Sequence, residues 1–179
     1  MKTVLTIALL AVAVTAVAKP ESLLRNGSFE TANAKGKPEG WNFQQHAGVR
    51  AYDFTLDDLA FEGKHSLRLT RLQKQVWGKV VQNIPANDLI GKTVEFSVRA
   101  RGEAVGKRGF SVGLGGFAGS TMLQHVKSER VTGTSDWRKY TLRIEVPEGS
   151  SQVMVGVTLD DKGTVWIDDA RLRVVKSKS

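Results

Sequence analysis

Apolar and polar residues alternate with a period of two along much of the second half of the chain. In residues 93–101, Val94, Phe96, Val98 and Ala100 alternate with polar or charged residues. Residues 139–146 and 153–159 repeat the pattern. Successive side chains of a β-strand point to opposite faces, so each stretch predicts a strand with one buried face.

Shorter stretches with the same character predict further strands between turn signals, at residues 23–30, 41–43, 49–52, 65–72, 77–84, 110–114 and 163–175. Residues 115–137 are polar and begin rich in glycine, and they predict a long connection between strands. About ten short strands, with no helical stripe beyond the N-terminus, are typical of a two-sheet antiparallel β-sandwich, or jelly roll. We therefore predict an all-β fold.

The N-terminus has the parts of a secretory signal peptide. Lys2 precedes an apolar run over residues 4–14, and Ala16-Val17-Ala18 supplies an A-x-A cleavage site. We predict a signal peptide at residues 1–18 and one domain at residues 19–179, secreted or periplasmic and monomeric. The apolar run is shorter than the ~20 residues of a membrane span, and no second run follows.

Composition narrows the possible partners and chemistry. The chain contains no cysteine, which excludes disulfides and a thiol nucleophile. Its formal net charge of +8 suits an anionic glycan, an anionic surface or nucleic acid, and predicted export argues against nucleic acid. The basic residues are scattered, so solubility alone is an equally good interpretation.

Two adjacent carboxylates, Asp168 and Asp169, interrupt the last predicted strand. By parity Asp168 points to the same face as Ala170 and Leu172, which is the predicted core. An unpaired buried carboxylate costs several kcal/mol, and the sequence offers no obvious cationic side chain beside it. A bound cation solves this problem; solvation of both carboxylates at a strand end is the alternative.

Five blocks stand in a fixed order along the chain: Leu24-Arg-Asn-Gly-Ser-Phe-Glu30, Gly63-Lys-His-Ser-Leu-Arg-Leu69, Gly91-Lys-Thr-Val-Glu-Phe-Ser-Val-Arg99, Thr132-Gly-Thr-Ser-Asp-Trp-Arg-Lys-Tyr-Thr141 and Val165-Trp-Ile-Asp-Asp-Ala-Arg-Leu172. In this order they resemble carbohydrate-binding modules of the family 4, 9 and 22 kind, which share the fold of galactose-binding domains. The resemblance covers nearly all of residues 19–179. It implies a β-jelly roll that carries a structural calcium ion.

The resemblance also implies the ligands of that calcium ion. Glu30 matches a second carboxylate beside Asp168, and main-chain oxygens around Ser28 and Lys64 match further ligands. Calcium is a hard cation that takes six to eight oxygen ligands, so this set suits it. A surface turn is the alternative role for Glu30.

Sugar recognition requires an aromatic ring for stacking and polar groups for hydroxyls. Trp77 matches the stacking tryptophan of xylan-binding relatives, and Gly78 is interpreted as leaving room for its ring; a core tryptophan is the alternative. Arg99 is predicted on an outer sheet face. Gln124 and His125 lie in the predicted connection, where binding specificity often sits.

No catalytic constellation is evident in the sequence. Paired carboxylates of a glycosidase flank a bond across ~5–9.5 Å, whereas Asp168 and Asp169 alternate to opposite faces. The three histidines share no metal-binding spacing. Gly109-Phe-Ser-Val-Gly113 fits G-x-S-x-G, but it lies in a predicted strand and not at the strand-to-helix elbow that this motif requires. We therefore predict a non-catalytic protein that binds a polysaccharide or glycan, neutral or anionic, on a concave sheet face. The alternative is an exported structural or protein-interaction domain.

Overall fold

A computed structural model describes residues 21–176, so the predicted signal peptide at residues 1–18 lies outside the described residues. The described residues contain no helix, and thus no helix that is long and apolar enough to cross a membrane. They form nine strands: β1 (Asn42–Gln45), β2 (Tyr52–Asp57), β3 (Ser66–Arg71), β4 (Gly78–Pro85), β5 (Thr93–Ala118), β6 (Thr121–Lys127), β7 (Val131–Glu145), β8 (Gln152–Leu159) and β9 (Thr164–Val174).

The long strand β5 belongs to both layers of the fold. Register shifts between Ala100 and Phe110 mark the place where it turns from one layer to the other. Its first part pairs with β9 and β7 and completes sheet A, in the order β2-β3-β9-β5-β7. Its second part completes sheet B, in the order β1-β4-β8-β5-β6. All pairings are antiparallel, which confirms the predicted jelly roll.

The core lies between the two sheets and is built by the alternation seen in the sequence. Val94, Phe96, Val98 and Ala100 of β5 are completely buried, as predicted. The inward residues of β8 face them from sheet B, and all four of these, Val153, Val155, Val157 and Leu159, are buried. Because apolar burial is the dominant favourable term in folding, this alternation determines which face of each strand is free for binding.

The first predicted strand, at residues 23–30, does not form. Asn26 and Phe29 have positive φ angles of 47° and 56°, and such a left-handed backbone cannot continue an extended strand. The segment is instead fixed by specific contacts. The Asn26 side chain donates hydrogen bonds to the carbonyl oxygens of Thr31 and Glu39, and the Phe29 ring is completely buried.

The predicted long connection at residues 115–137 is wrong. Strand β5 continues to Ala118, a tight turn follows at Gly119 with φ of 59°, and β6 and the start of β7 fill the rest. The second part of β5 was not predicted in full, because its glycines interrupt the alternation of apolar and polar residues. In the structure the side chain of His125 lies over Gly113 and Gly115, where a side chain would otherwise project.

A β-bulge in β9 changes the side to which Asp168 points. Ser97 pairs with Arg171 but Arg99 pairs with Asp168, so β9 contains one extra residue, and Asp169 has a φ of 48°. Ile167 and Ala170 both face the core as a result. Asp168 is 1% exposed, as expected, but it lies on the outer face of sheet A and not toward the core. The parity argument for Asp168 was therefore wrong.

Candidate functional site

A groove of about 230 Å³ crosses the outer face of sheet B, and four strands supply its lining side chains. The strand register places these side chains in rows across β4, β8, β5 and β6. The first row contains Lys79, Thr158 and Ser111, and the second contains Val81, Gly156, Gly113 and Lys127. The third row contains Met154 and His125, and the fourth contains Phe117 and Met122.

Two adjacent glycines form the floor of the groove. Gly156 of β8 pairs with Gly113 of β5, so the centre of the second row has no side chains. A Cβ atom at Gly156 would lie 2.2 Å from the backbone oxygen of Val80, which explains why glycine is required there. A glycine in a strand interior often marks a place where a ligand approaches the backbone. The hydroxyl groups of Thr158 and Ser111 stand beside this floor.

Trp77 lies at the end of the groove where β4 begins and β8 ends. Its ring is half-buried and lies edge-on to His46, with 6.3 Å between the ring centroids. The Lys79 ammonium is 5.4 Å from the indole centroid, a distance typical of a cation–π contact. Asp160 lines the same end of the groove and follows β8 directly. An aromatic ring, hydroxyl groups and a carboxylate thus converge on one open surface.

The charged groups of the groove are mostly positive. Burial and the charge of Lys127 lower the pKa of Lys79 below its usual value. Burial, Lys127 and Lys79 together lower the pKa of His125, so its imidazole is neutral at pH 7. Among the described residues, neither lysine ammonium forms an ion pair, and the Asp160 carboxylate lies 3.6 Å from the Arg130 guanidinium.

The four residues predicted to bind ligand do not form one cluster. Trp77 and His125 line the groove. Gln124 alternates to the other face of β6, pairs in register with Gly116 and is exposed. Arg99 lies on the outer face of sheet A, where its guanidinium is 4.0 Å from the centroid of Phe61. A sugar in the groove would therefore meet only two of the four.

A separate pocket on the other side of the molecule contains the predicted calcium ligands. Ser28, Glu30 and Asp168 line it together with Glu62 and Gly63. Lys64, whose main-chain oxygen was predicted as a ligand, does not line this pocket, but its backbone N–H donates to Glu30 Oε1 at 2.9 Å. Within residues 21–176, no three His, Cys, Asp or Glu side chains are arranged to hold a metal. A calcium ion here would depend on main-chain oxygens as well.

Asp168 is buried by the loop between β2 and β3. Its Oδ2 accepts hydrogen bonds from the backbone N–H groups of Phe61 and Glu62 at 2.9 and 3.0 Å, and its Oδ1 accepts one from Asp169. Burial nevertheless raises the pKa of Asp168 above its usual value. Charge on this carboxylate is therefore only partly compensated, and a nearby cation would stabilise it.

Glu30 reaches the same loop from the N-terminal segment. Its Oε1 also accepts a hydrogen bond from the His65 N–H at 3.0 Å, and this bond lowers the pKa of Glu30. A Cβ atom on Gly63 would lie 2.3 Å from Glu30 Oε1, so only glycine admits the carboxylate there. Two carboxylates from opposite ends of the chain thus converge on one loop, and carboxylate oxygens are among the ligands that calcium prefers.

Several groove residues escaped prediction, namely Lys79, Ser111, Lys127, Met154, Thr158 and Asp160. The sequence contained one usable signal, since Gly113 and Gly156 occupy outward positions of strands that are otherwise well patterned. The groove residues on β4 and β6 could not be found in this way, because the sequence alone does not give the order of the strands in sheet B.

Comparison with solved structures shows the same fold in several proteins. The chain is similar to the enzymatically active domain of bacteriophage CBA120 tailspike protein 4 (TM-score 0.67, 13% identity, 86% of this chain and 21% of that chain). It is also similar to TmCBM61 in complex with β-1,4-galactotriose, with a TM-score of 0.59 and 17% identity, over 87% of this chain and 99% of that chain. A further similar structure is the CBM22-1 xylan-binding domain of Paenibacillus barcinonensis Xyn10C, with a TM-score of 0.57 and 20% identity, over 91% of this chain and 100% of that chain.

Comparison of sequences gives a short match and a long one. The short match, 35% identical over 46 residues, is to the uncharacterized HTH-type transcriptional regulator YbfP of Bacillus subtilis (strain 168); it covers 26% of this chain and only 16% of that protein. The long match, over residues 21–163, is to the family described as carbohydrate binding domain. It spans eight of the nine strands, which confirms the resemblance seen in the sequence. The chain therefore belongs to the carbohydrate binding domain family.

Proposed function

We propose that the protein is an exported, non-catalytic carbohydrate-binding protein and that a poly- or oligosaccharide lies in the groove of sheet B. One observation supports this most strongly: the half-buried ring of Trp77 stands at the end of a groove floored by Gly113 and Gly156. A pyranose offers an apolar C–H face to an aromatic ring and hydroxyl groups to polar side chains, and the groove has a partner for each.

The groove is suited to binding and lacks the parts of a glycosidase. Hydrolysis of a glycosidic bond uses two carboxyl groups on either side of the bond. Asp160 is the only carboxylate among the described residues that line the groove, and Arg130 lies beside it. Asp168 and Asp169 are on sheet A and do not reach the groove. This supports the proposal that the groove binds a sugar without hydrolysing it.

Replacement of Trp77 by alanine tests the binding site. We expect Trp77→Ala to abolish retention in affinity electrophoresis, because truncating an aromatic anchor commonly costs more than ~2 kcal/mol of binding. The melting temperature should change little, since the ring is already half-exposed. Trp137→Ala is the matched control, because Trp137 is also half-buried but lies on β7 of sheet A, where it contacts Phe61 of the loop between β2 and β3.

Other results of this experiment have clear meanings. If Trp77→Ala lowers the free energy of unfolding by ~3–5 kcal/mol, the Trp77 ring is part of the core. If the unaltered protein binds nothing on a glycan array of neutral and acidic polysaccharides, the sugar-binding proposal fails. An exported structural or protein-interaction domain is then the remaining function.

A structural calcium ion is the second part of the proposal. Glu30 and Asp168 would supply carboxylate oxygens, and main-chain oxygens of the pocket near Ser28 and Gly63 would complete the set. The ion would supply positive charge that holds the loop between β2 and β3 to the N-terminal segment and β9. What supports this is the burial of Asp168 and its raised pKa, with only backbone N–H groups as hydrogen-bond donors.

A further inference from the structure

The groove contains positive charge that the described part of the protein does not neutralise. Lys79 enters it from β4 and Lys127 from β6, the first and last strands that line it. Asp160 is the one carboxylate lining it among the described residues, and that carboxylate lies 3.6 Å from Arg130. Two ammonium groups therefore share a concave surface without a carboxylate of their own.

The charge of Lys127 has an electrostatic cost for the partly buried Lys79. Like charges repel more strongly where the surroundings are partly desolvated, because the effective dielectric constant is lower than in water. The effect is visible at Lys79, whose pKa is lowered by burial and by the charge of Lys127. A neutral sugar would leave this repulsion in place, whereas a negatively charged group between the two lysines would remove it.

Hydrogen-bonding groups stand beside the two lysines. The hydroxyl groups of Thr158 and Ser111 lie in the same row as Lys79, and Gly113 pairs with Lys127 in the next row. Gly113 and Gly156 line the groove between these groups, and the His125 imidazole lies over Gly113. His125 lies one row further and contributes a neutral imidazole at pH 7.

We propose that the groove selects an acidic saccharide and that the anionic substituent of its ring lies between Lys79 and Lys127. This inference rests on the proposed sugar-binding function of the groove and names its ligand class. The anionic substituent is a carboxylate or a sulfate ester, since both present oxygens with delocalised negative charge. The net charge of +8 would also draw such a polymer toward the protein.

The experiment compares each acidic polysaccharide with its own neutral form. Polygalacturonate, alginate and glucuronoxylan are tested against the same polymers after carboxyl reduction, and sulfated galactan against desulfated galactan. We expect at least one acidic form to bind about tenfold or more tightly than its neutral counterpart, which corresponds to about one strong charged contact. This preference should shrink as NaCl rises from about 50 to about 500 mM, because salt screens partly exposed charges.

Two variants locate the preference. Lys79→Gln and Lys127→Gln should each lower affinity for the acidic form about tenfold more than affinity for its neutral counterpart, and they should preserve the melting temperature. Lys139→Gln is the matched control, since Lys139 is exposed on β7 of sheet A. If only carboxylated polymers or only sulfated polymers bind preferentially, that result identifies the anionic group. If both kinds bind preferentially, the groove recognises the delocalised negative charge that they share.

The proposal is overturned if no acidic form exceeds its neutral counterpart, or if the preference persists in both lysine variants. If neutral glycans bind through Trp77 and acidic ones bind no better, the charge preference alone is wrong. If no glycan of either kind binds, the proposed function and this inference both fail.

Discussion

Gly78 shows how one residue separates the binding face from the core. A Cβ atom at this position would lie 2.4 Å from Cγ of Tyr52, whose ring is completely buried. The space beside Gly78 therefore belongs to Tyr52 inside the sandwich, and our interpretation that it makes room for the Trp77 ring was wrong. Close packing of Tyr52 against the backbone of β4 fixes where the strand begins, and Trp77 stands just before it.

We predict that Gly78→Ala destabilises the protein by about 1–3 kcal/mol, the usual cost of overpacking a core. Urea unfolding measures this change. Gly113→Ala is the matched control: its Cβ would lie 3.0 Å from His125 Nε2, the end of a side chain that can move. Equal stability of the two variants would contradict the assignment of Gly78 to the core.

The site could be predicted only in part, because residue type and strand alternation contain no information on strand neighbours. Trp77 was found through its resemblance to stacking tryptophans. His125 and Gln124 were chosen from a supposed loop, and only His125 lines the groove, since β6 is a strand and alternates. Lys79 on β4 and Lys127 on β6 line the same groove only because β8 and β5 lie between these two strands in sheet B.

At the scale of the elements, alternation was a sound guide wherever the strand was regular. It identified the buried faces of β5, β7 and β8, whose inward residues lie in or pack against the core. It failed where the backbone departs from an extended conformation, as at Asn26 and Phe29, and where a bulge adds a residue, as at Asp169. Such irregularities depend on tertiary contacts that a period-two pattern does not contain.

The loop between β2 and β3 is the element that the proposed calcium ion would hold. Asp168 and Glu30 already accept hydrogen bonds from its backbone, from Phe61 and Glu62 and from Lys64 and His65 respectively. These contacts join segments up to 107 residues apart in the sequence. An ion that binds only the folded arrangement of these segments would stabilise the whole domain.

We expect calcium to raise the melting temperature relative to a chelator. Mass action predicts a stabilisation of about 2.7 kcal/mol at 100 times the dissociation constant. Asp168→Asn should lose the difference between calcium and chelator, whatever its own stability, and the exposed Asp88→Asn should keep it. Identical melting curves in calcium and in chelator would rule out the ion.

At the scale of the whole molecule, the described residues form one two-sheet sandwich, and a single domain at residues 19–179 stays a prediction. The predicted signal peptide precedes it, at residues 1–18. We expect protein recovered from the medium or the periplasm to begin at Lys19, because cleavage follows the A-x-A site. Intact mass spectrometry measures this directly, and exported protein that retains residues 1–18 would contradict it.

The position of β9 has a consequence for the order in which the fold is completed. The last strand of the described residues, β9, lies inside sheet A, between β3 and β5. Until it is synthesised, these two strands expose unpaired backbone edges, which favour aggregation if they persist. We therefore expect sheet A to close only after β9 has been synthesised, and non-local strand pairing of this kind is intrinsically slow.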